Sequence, residues 1–430
     1  MTRTRTGTRA PPVDPFGGYF APDGPAEEPY GIADVASARW WFEYLRWGFE
    51  EDLYTYQQPV QHRTGTRVTV AGREMLMMSS YDYLGLIGHP TVNAAASRAV
   101  REHGTGAGGV RMLTGTHELH RKLERNIARF KDTGAVMTFT SGYLANIAAV
   151  TGLVGPRDRV LLDANAHRSL VDGCCLARVP VSRFAHNDLA SVETLLEQSA
   201  GDGRTLVITE GVFSMDGDLC PLPELIELKK RFDSYLLVDE AHSFGVLGAT
   251  GRGINQHFGL PADAVDVWTG SLSKAIPANG GFIAGSRALV YYLQHVAAPF
   301  WFSAALCPAD AAAASAALAV IREEPHRLSD AHRNAEALRA GLQHLGYDTG
   351  VSQTCIVPVI LGDDEVTYRA ARQLYAWGIL VSAVVAPAVP RGAARLRLCV
   401  TAAHSDKDLD ETLAAFKSLL PHPDVARVCV

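Results

Sequence analysis

Lys274 sits in "TGSLSKAIPANGGFIAG" (269–285), a lysine among small residues with an apolar run on either side. Burial disfavours an ammonium, so a lysine held there offers a free amine, a nucleophile toward a carbonyl carbon. In open parallel sheets ligands lie at the carboxyl ends of strands, so polar residues that directly follow apolar runs belong together. Asp239 ends "SYLLVD" and His242 follows three residues on. Ser214 comes after "TLVITEG", His167 after "RVLLDA", Gly142 after "AVMTFTS" and Lys274 after "DVWTGS". Six strand ends converge on one crevice. Each residue alone reads as a surface lysine, a capping carboxylate or a satisfied core histidine; their joint placement points to a cofactor site.

An amine that forms Schiff bases most often serves pyridoxal phosphate, which needs a carboxylate at its ring nitrogen, a group to stack on and donors for its phosphate. Asp239, His167 and the region of Gly142 and Ser271 can supply these.

The elements that must position these residues follow from periodicity. From about residue 76, short apolar runs alternate with helical stretches such as "LHRKLERNIARF" and "LPELIELKKRF". Runs without period-two alternation are strands buried on both faces, so the fold class is α/β with a mostly parallel central sheet flanked by helices. Ahead of it, "VASARWWFEYLRWGFEEDLYTYQQ" reads as one amphipathic helix whose tryptophans pack and do not form a ligand box. Beyond Pro308 an alanine-rich helix leads to the strands "CIVPVIL" and "RLRLCV" and a closing helix, a smaller C-terminal α+β domain. The expected division is 1–75 (arm and helix), 76–307 (large cofactor-binding domain) and 308–430 (small domain).

Composition narrows the function. A net charge of -6 with mixed signs gives no basic stripe for nucleic acid or an anionic membrane. Seven cysteines without a CxxC pair fit reduced thiols, and the basic N-terminus lacks the apolar core of a signal peptide, so a cytoplasmic protein with a flexible arm is expected. The apolar stretch 296–321 is broken by Pro308 and Asp310 and reads as an ordinary helix. "GTGAGG" (104–109) follows a helical segment, which removes the dinucleotide-binding context, and "HELH" (117–120) spaces its histidines one residue short of the helical zinc motif.

Eight ordered segments between residues 75 and 420 resemble the α-oxoamine synthases: "SSYDYLGL", "GTGAGGVRMLTGTHELHRKLE", "FTSGYLAN", "DANAHRSLVDG", "EGVFSMDGD", "VDEAHSFGVLGATGRG", "GSLSKA" and "VPRGAARLRLCVTAAH". The resemblance implies a fold-type I enzyme that uses pyridoxal 5'-phosphate to join a small amino acid to an acyl thioester, on coenzyme A or an acyl carrier protein, with loss of carbon dioxide. It implies that Lys274 carries the cofactor, Asp239 keeps the ring nitrogen protonated, His242 contacts the ring oxygen and His167 stacks on the ring. Gly142, Tyr143 and Ser271 would neighbour the phosphate or ring, Ser214 would offer a ring-side hydroxyl, and Ser303 a phosphate contact from the second subunit of a homodimer. Arg397 would anchor the substrate carboxylate.

Tyr81 replaces a frequent asparagine, as in serine palmitoyltransferases, whereas "VPRG" (389–392) is similar to aminolevulinate synthases. The amino acid is therefore glycine, alanine or serine. An aminotransferase or aldolase of the same fold, or a catalytically silent partner subunit, are the rival readings.

Overall fold

The computed structural model describes residues 36–198 and 203–420, so the expected flexible arm lies mostly outside the described residues. The chain opens with α1 (Ala36–Glu50) and the antiparallel strands β1 (Val60–Thr64), β2 (Arg67–Val70) and β3 (Arg73–Met77). Helices α2 (Pro90–His103) and α3 (Glu118–Lys131) follow. Then come β4 (Ala135–Phe139), α4 (Gly142–Leu153), β5 (Arg159–Asp163), α5 (Arg168–Ala177), β6 (Val181–Phe184), α6 (Leu189–Glu197), β7 (Thr205–Glu210), α7 (Leu222–Arg231), β8 (Tyr235–Asp239), α8 (Ile254–His257), β9 (Val267–Ser273) and β10 (Pro277–Gly285). The remainder is α9 (Arg287–Val296), α10 (Ala298–Phe302), α11 (Pro308–Glu323), α12 (His326–His344), β11 (Ile356–Gly362), α13 (Asp364–Ala376), β12 (Ile379–Leu380), β13 (Ser382–Val384), β14 (Ala394–Cys399) and α14 (Asp406–Leu419).

The central sheet runs β4-β10-β9-β8-β7-β5-β6. β10 is antiparallel to both of its neighbours, and β9, β8, β7, β5 and β6 pair in parallel. Successive strand residues enter opposite core layers: Leu161, Val207, Leu236 and Val238 face one, whereas Val160, Leu162, Leu206, Ile208 and Leu237 face the other. Both faces being apolar, the sequence shows runs and not alternation.

Two smaller sheets complete the fold, β1-β2-β3-β12 and β11-β14-β13. β12 pairs in parallel with β3, which stitches the N-terminal sheet to the C-terminal part. α11 lies against α2 and α3. No described helix is long and apolar enough to cross a membrane.

The N-terminal helix is shorter than its aromatic pattern suggests. α1 stops at Glu50, Leu53 N–H bonds back to the Gly48 carbonyl at 2.7 Å, and Asp52 takes a left-handed φ of 55°. Tyr44 shares a 2.6 Å hydrogen bond with the Tyr368 hydroxyl, and Trp47 packs on the same ring, whereas Trp40 and Trp41 stay exposed. The "HELH" histidines are helix-start residues. His117 N–H donates to His120 Nδ1 at 3.0 Å, His120 Nε2 meets the Leu306 carbonyl at 2.7 Å, and no metal-binding cluster occurs among the described residues.

Candidate active site

Five of the six predicted strand-end residues line one cavity of about 210 Å³: Gly142, His167, Asp239, His242 and Lys274. Ser271 and Tyr143 also stand in its wall. Lys274 occupies the link between β9 and β10. Burial lowers its ammonium pKa and the Arg397 charge adds to this, working against the attraction of Asp239 and Glu210. The amine is thus easier to free of its proton than an ordinary lysine.

Asp239 closes β8 and is buried. Its Oδ1 accepts from the Ala241 N–H at 2.8 Å, and its Oδ2 accepts from Asn146 Nδ2 at 2.6 Å. His242, three residues on, shares a 2.7 Å hydrogen bond between its Nδ1 and the Tyr83 hydroxyl. Burial, then the charges of Lys274, Arg397 and His167, hold its imidazole well below the usual range, so it is neutral.

His167 caps α5 and remains exposed; its N–H donates to Glu210 Oε1 at 2.5 Å and its Nδ1 meets Ser169 Oγ at 2.7 Å. At the other end, Gly142 and Tyr143 open α4, where first-turn amides lack intrahelical acceptors and the helix dipole favours an anion. A Cβ on Gly142 would come within 3.1 Å of Ser271 Cβ, so only a bare backbone keeps this corner clear. Ser271 Oγ and Ser273 Oγ lie beside it, 2.8 Å apart.

Four predicted residues, Ser214, Arg397, Tyr81 and Ser303, stand outside the cavity wall. Ser214 does not present its hydroxyl as a wall group; its carbonyl instead accepts a hydrogen bond from Arg397 Nε. Arg397 rises from β14, 2 % exposed, with its Cζ 4.8 Å from the Tyr81 ring centroid. Its Nη1 meets Cys399 Sγ at 3.1 Å and its Nη2 is buried without a protein partner, a charged donor left for an acceptor of another molecule. Tyr81 bridges the two groups, its ring centroid 5.6 Å from Lys274 Nζ. Ser303 follows α10 and is not among the wall residues.

Sequence reasoning passed over Glu210, Asn146 and Ser273, all wall residues. Glu210 is the last residue of β7, so the strand-end rule points to it more directly than to Ser214, four positions later. Asn146 lies one helical turn beyond Gly142, inside the "FTSGYLAN" segment already singled out.

The donor set fits pyridoxal phosphate: an amine for the aldehyde, a buried carboxylate for the ring nitrogen, an imidazole at the rim and a helix N-terminus with two hydroxyls for the phosphate.

Comparison with known proteins agrees. The family model described as aminotransferase class I and II matches residues 73–416. An 8-amino-7-oxononanoate synthase of Geobacter sulfurreducens is 43% identical over 372 residues, 85% of this chain and 94% of that one. The synthase of Symbiobacterium thermophilum is 41% identical over 365 residues, 85% and 93% of the two chains. Among solved structures, the Sphingomonas wittichii serine palmitoyltransferase superposes with a TM-score of 0.85 at 30% identity, covering 91% of this chain and 98% of its own. From the placement of the lysine to the likeness along most of its length, the chain belongs to the aminotransferase class I and II family and, within it, to the α-oxoamine synthases, fold-type I C-acyltransferases that depend on pyridoxal phosphate.

Proposed function

We propose that this α-oxoamine synthase condenses glycine, alanine or serine with an acyl thioester, borne by coenzyme A or an acyl carrier protein, to give an α-amino ketone, carbon dioxide and free thiol. The observation that carries the reading is the pairing of the depressed Lys274 amine with the unpartnered Nη2 of Arg397, the two joined by the Tyr81 ring. One end suits an α-carbon proton and the other a carboxylate.

Arg397 holds the amino acid's carboxylate and orients the bond to be broken. Lys274, freed from the cofactor, takes the proton from the α-carbon with its Nζ. Bound pyridoxal phosphate supplies the electron sink for that step. Asp239, itself held by Asn146 Nδ2, keeps a negative charge at the ring-nitrogen end, and neutral His242 offers a hydrogen bond without a competing charge. Gly142, Tyr143, Ser271 and Ser273 would hold the phosphate, and His167 would stack on the ring. Ser303 would reach the phosphate of a second subunit in a homodimer.

A second, larger cavity of about 1280 Å³ between α1 and residues 383–392 includes Met215, next to Ser214, and gives the acyl donor an apolar approach. The test is to supply each amino acid with a panel of thioesters. Carbon dioxide and thiol released only when both substrates are present support the reading; keto-acid formation without thioester replaces it with transamination.

A further inference from the structure

Behind the cofactor cavity, His186 sits between two carboxylates that the mechanism does not use. It follows β6, with its Nδ1 2.9 Å from Asp163 Oδ1 and its Nε2 2.9 Å from Asp218 Oδ2. Both carboxylates are buried: Asp163, the last residue of β5, is 0 % exposed and Asp218 is 4 % exposed. A carboxylate only accepts, so an imidazole that serves both must carry a proton on each nitrogen. Asn187 repeats the pattern, its N–H donating to Asp163 Oδ2 at 3.1 Å and its Nδ2 to Asp218 Oδ2 at 2.8 Å.

Asp218 closes the turn that begins at Phe213. Phe213 N–H bonds to the Asp218 carbonyl at 3.1 Å, Gly217 N–H bonds to the Phe213 carbonyl at 2.8 Å, and the His186 ring meets the Phe213 ring edge-on at 4.4 Å. The same turn presents the Ser214 carbonyl to Arg397 Nε. It also presents the Met215 carbonyl and Asp216 Oδ1 to Arg395 Nη1, at 3.2 Å and 2.5 Å. Both arginines come from β14, so one six-residue turn aims two neighbouring cationic arms of another sheet.

We propose that His186 is a positioning residue for the substrate carboxylate: by bridging Asp163 and Asp218 it fixes the 213–218 turn on the central sheet, and the turn in turn fixes the direction of the Arg397 guanidinium. The inference rests on the reading of Arg397 as the carboxylate anchor. A planar guanidinium that binds a carboxylate through paired donors is sensitive to small rotations, so a loosened turn weakens that contact before it disturbs anything else.

The test uses cofactor-loaded enzyme and two ligands, an amino acid and the primary amine that lacks its carboxylate, titrated by the change in cofactor absorbance. His186→Ala and the milder His186→Gln, which keeps one donor, are compared with Arg397→Ala. For His186→Ala the amino acid is expected to bind about tenfold more weakly while the amine binds as in the parent and cofactor content is unchanged; His186→Gln gives a smaller loss of the same kind. If His186→Ala does not fold, His186→Gln alone decides. Equal losses for both ligands, or none, in a folded His186 variant overturn the proposal when Arg397→Ala loses only the amino acid. If Arg397→Ala also treats the ligands alike, the anchor reading itself is what fails.

Discussion

At the scale of single residues, the expected behaviour of Lys274 is sharp. Lys274→Ala should eliminate turnover, and borohydride treatment should no longer fix the cofactor to the peptide spanning residue 274, as read by mass spectrometry. Asn146→Ala should keep the cofactor but slow α-proton removal by about tenfold, because Asp239 loses the neighbour that holds its Oδ2; stopped-flow absorbance measures it. His186 carries a pH prediction. Burial lowers its pKa, but the hydrogen bonds it donates to Asp163 and Asp218, with their negative charges, outweigh that and lift it to about 10. A folded-state pKa above the unfolded one stabilises fully below the ordinary imidazole range and is lost as pH rises toward about 10. Parent Tm should therefore fall between neutral pH and pH 10 by more than that of His186→Gln. The sequence made Lys274, Asp239 and His242 legible because each stands at the carboxyl end of a strand or within three residues of it. Glu210 was hidden by a serine that suited the expected hydroxyl. His186 left no trace, since its role exists only once β5 and the 213–218 turn lie side by side, twenty-three and thirty-two positions away.

At the scale of elements, the parallel strands could be read because two apolar layers leave continuous runs. β6 escaped notice because it is an edge strand, with three of its four residues not fully buried, and β13 because it has only three residues. The end of α1 escaped as well: aromatic residues continue past Glu50, but the chain turns at Asp52. One buried ion pair joins elements distant in sequence. Lys131, at the end of α3, meets Glu240 Oε2 at 2.6 Å, with both side chains fully buried and the ammonium 3.6 Å from the Trp268 ring centroid. Glu240 is the neighbour of Asp239. Lys131→Met should cost about 3–5 kcal/mol by stranding that carboxylate, seen as a lower Tm, and adding Glu240→Gln should restore much of the loss.

At the scale of the whole molecule, the reading of Ser303 as a residue offered to a second subunit makes mixing experiments decisive. Lys274→Ala protein and a Ser303→Trp protein, each inactive, should regain about a quarter of parental activity when dissociated and reassembled together, because half the dimers then hold one intact site. No recovery would place Ser303 outside the partner's site. The family, fold and cofactor were legible from eight ordered segments. The choice of amino acid was not, because Tyr81 and the 389–392 segment give opposite cues and lie on different elements, one beside Lys274 and the other along the larger cavity.

Lys274 is carried on the short link between β9 and the sole reversed strand of the central sheet, so its backbone is gripped from both sides by paired strands. The reactive amine thus rides on a strand pair of the central sheet, whereas Tyr81 and Arg397 approach it from separate pieces and the segment 383–392 lines the larger cavity. Evolution or an engineer can therefore retune what is accepted, exchanging one fuel for another, without taking the engine off its mount.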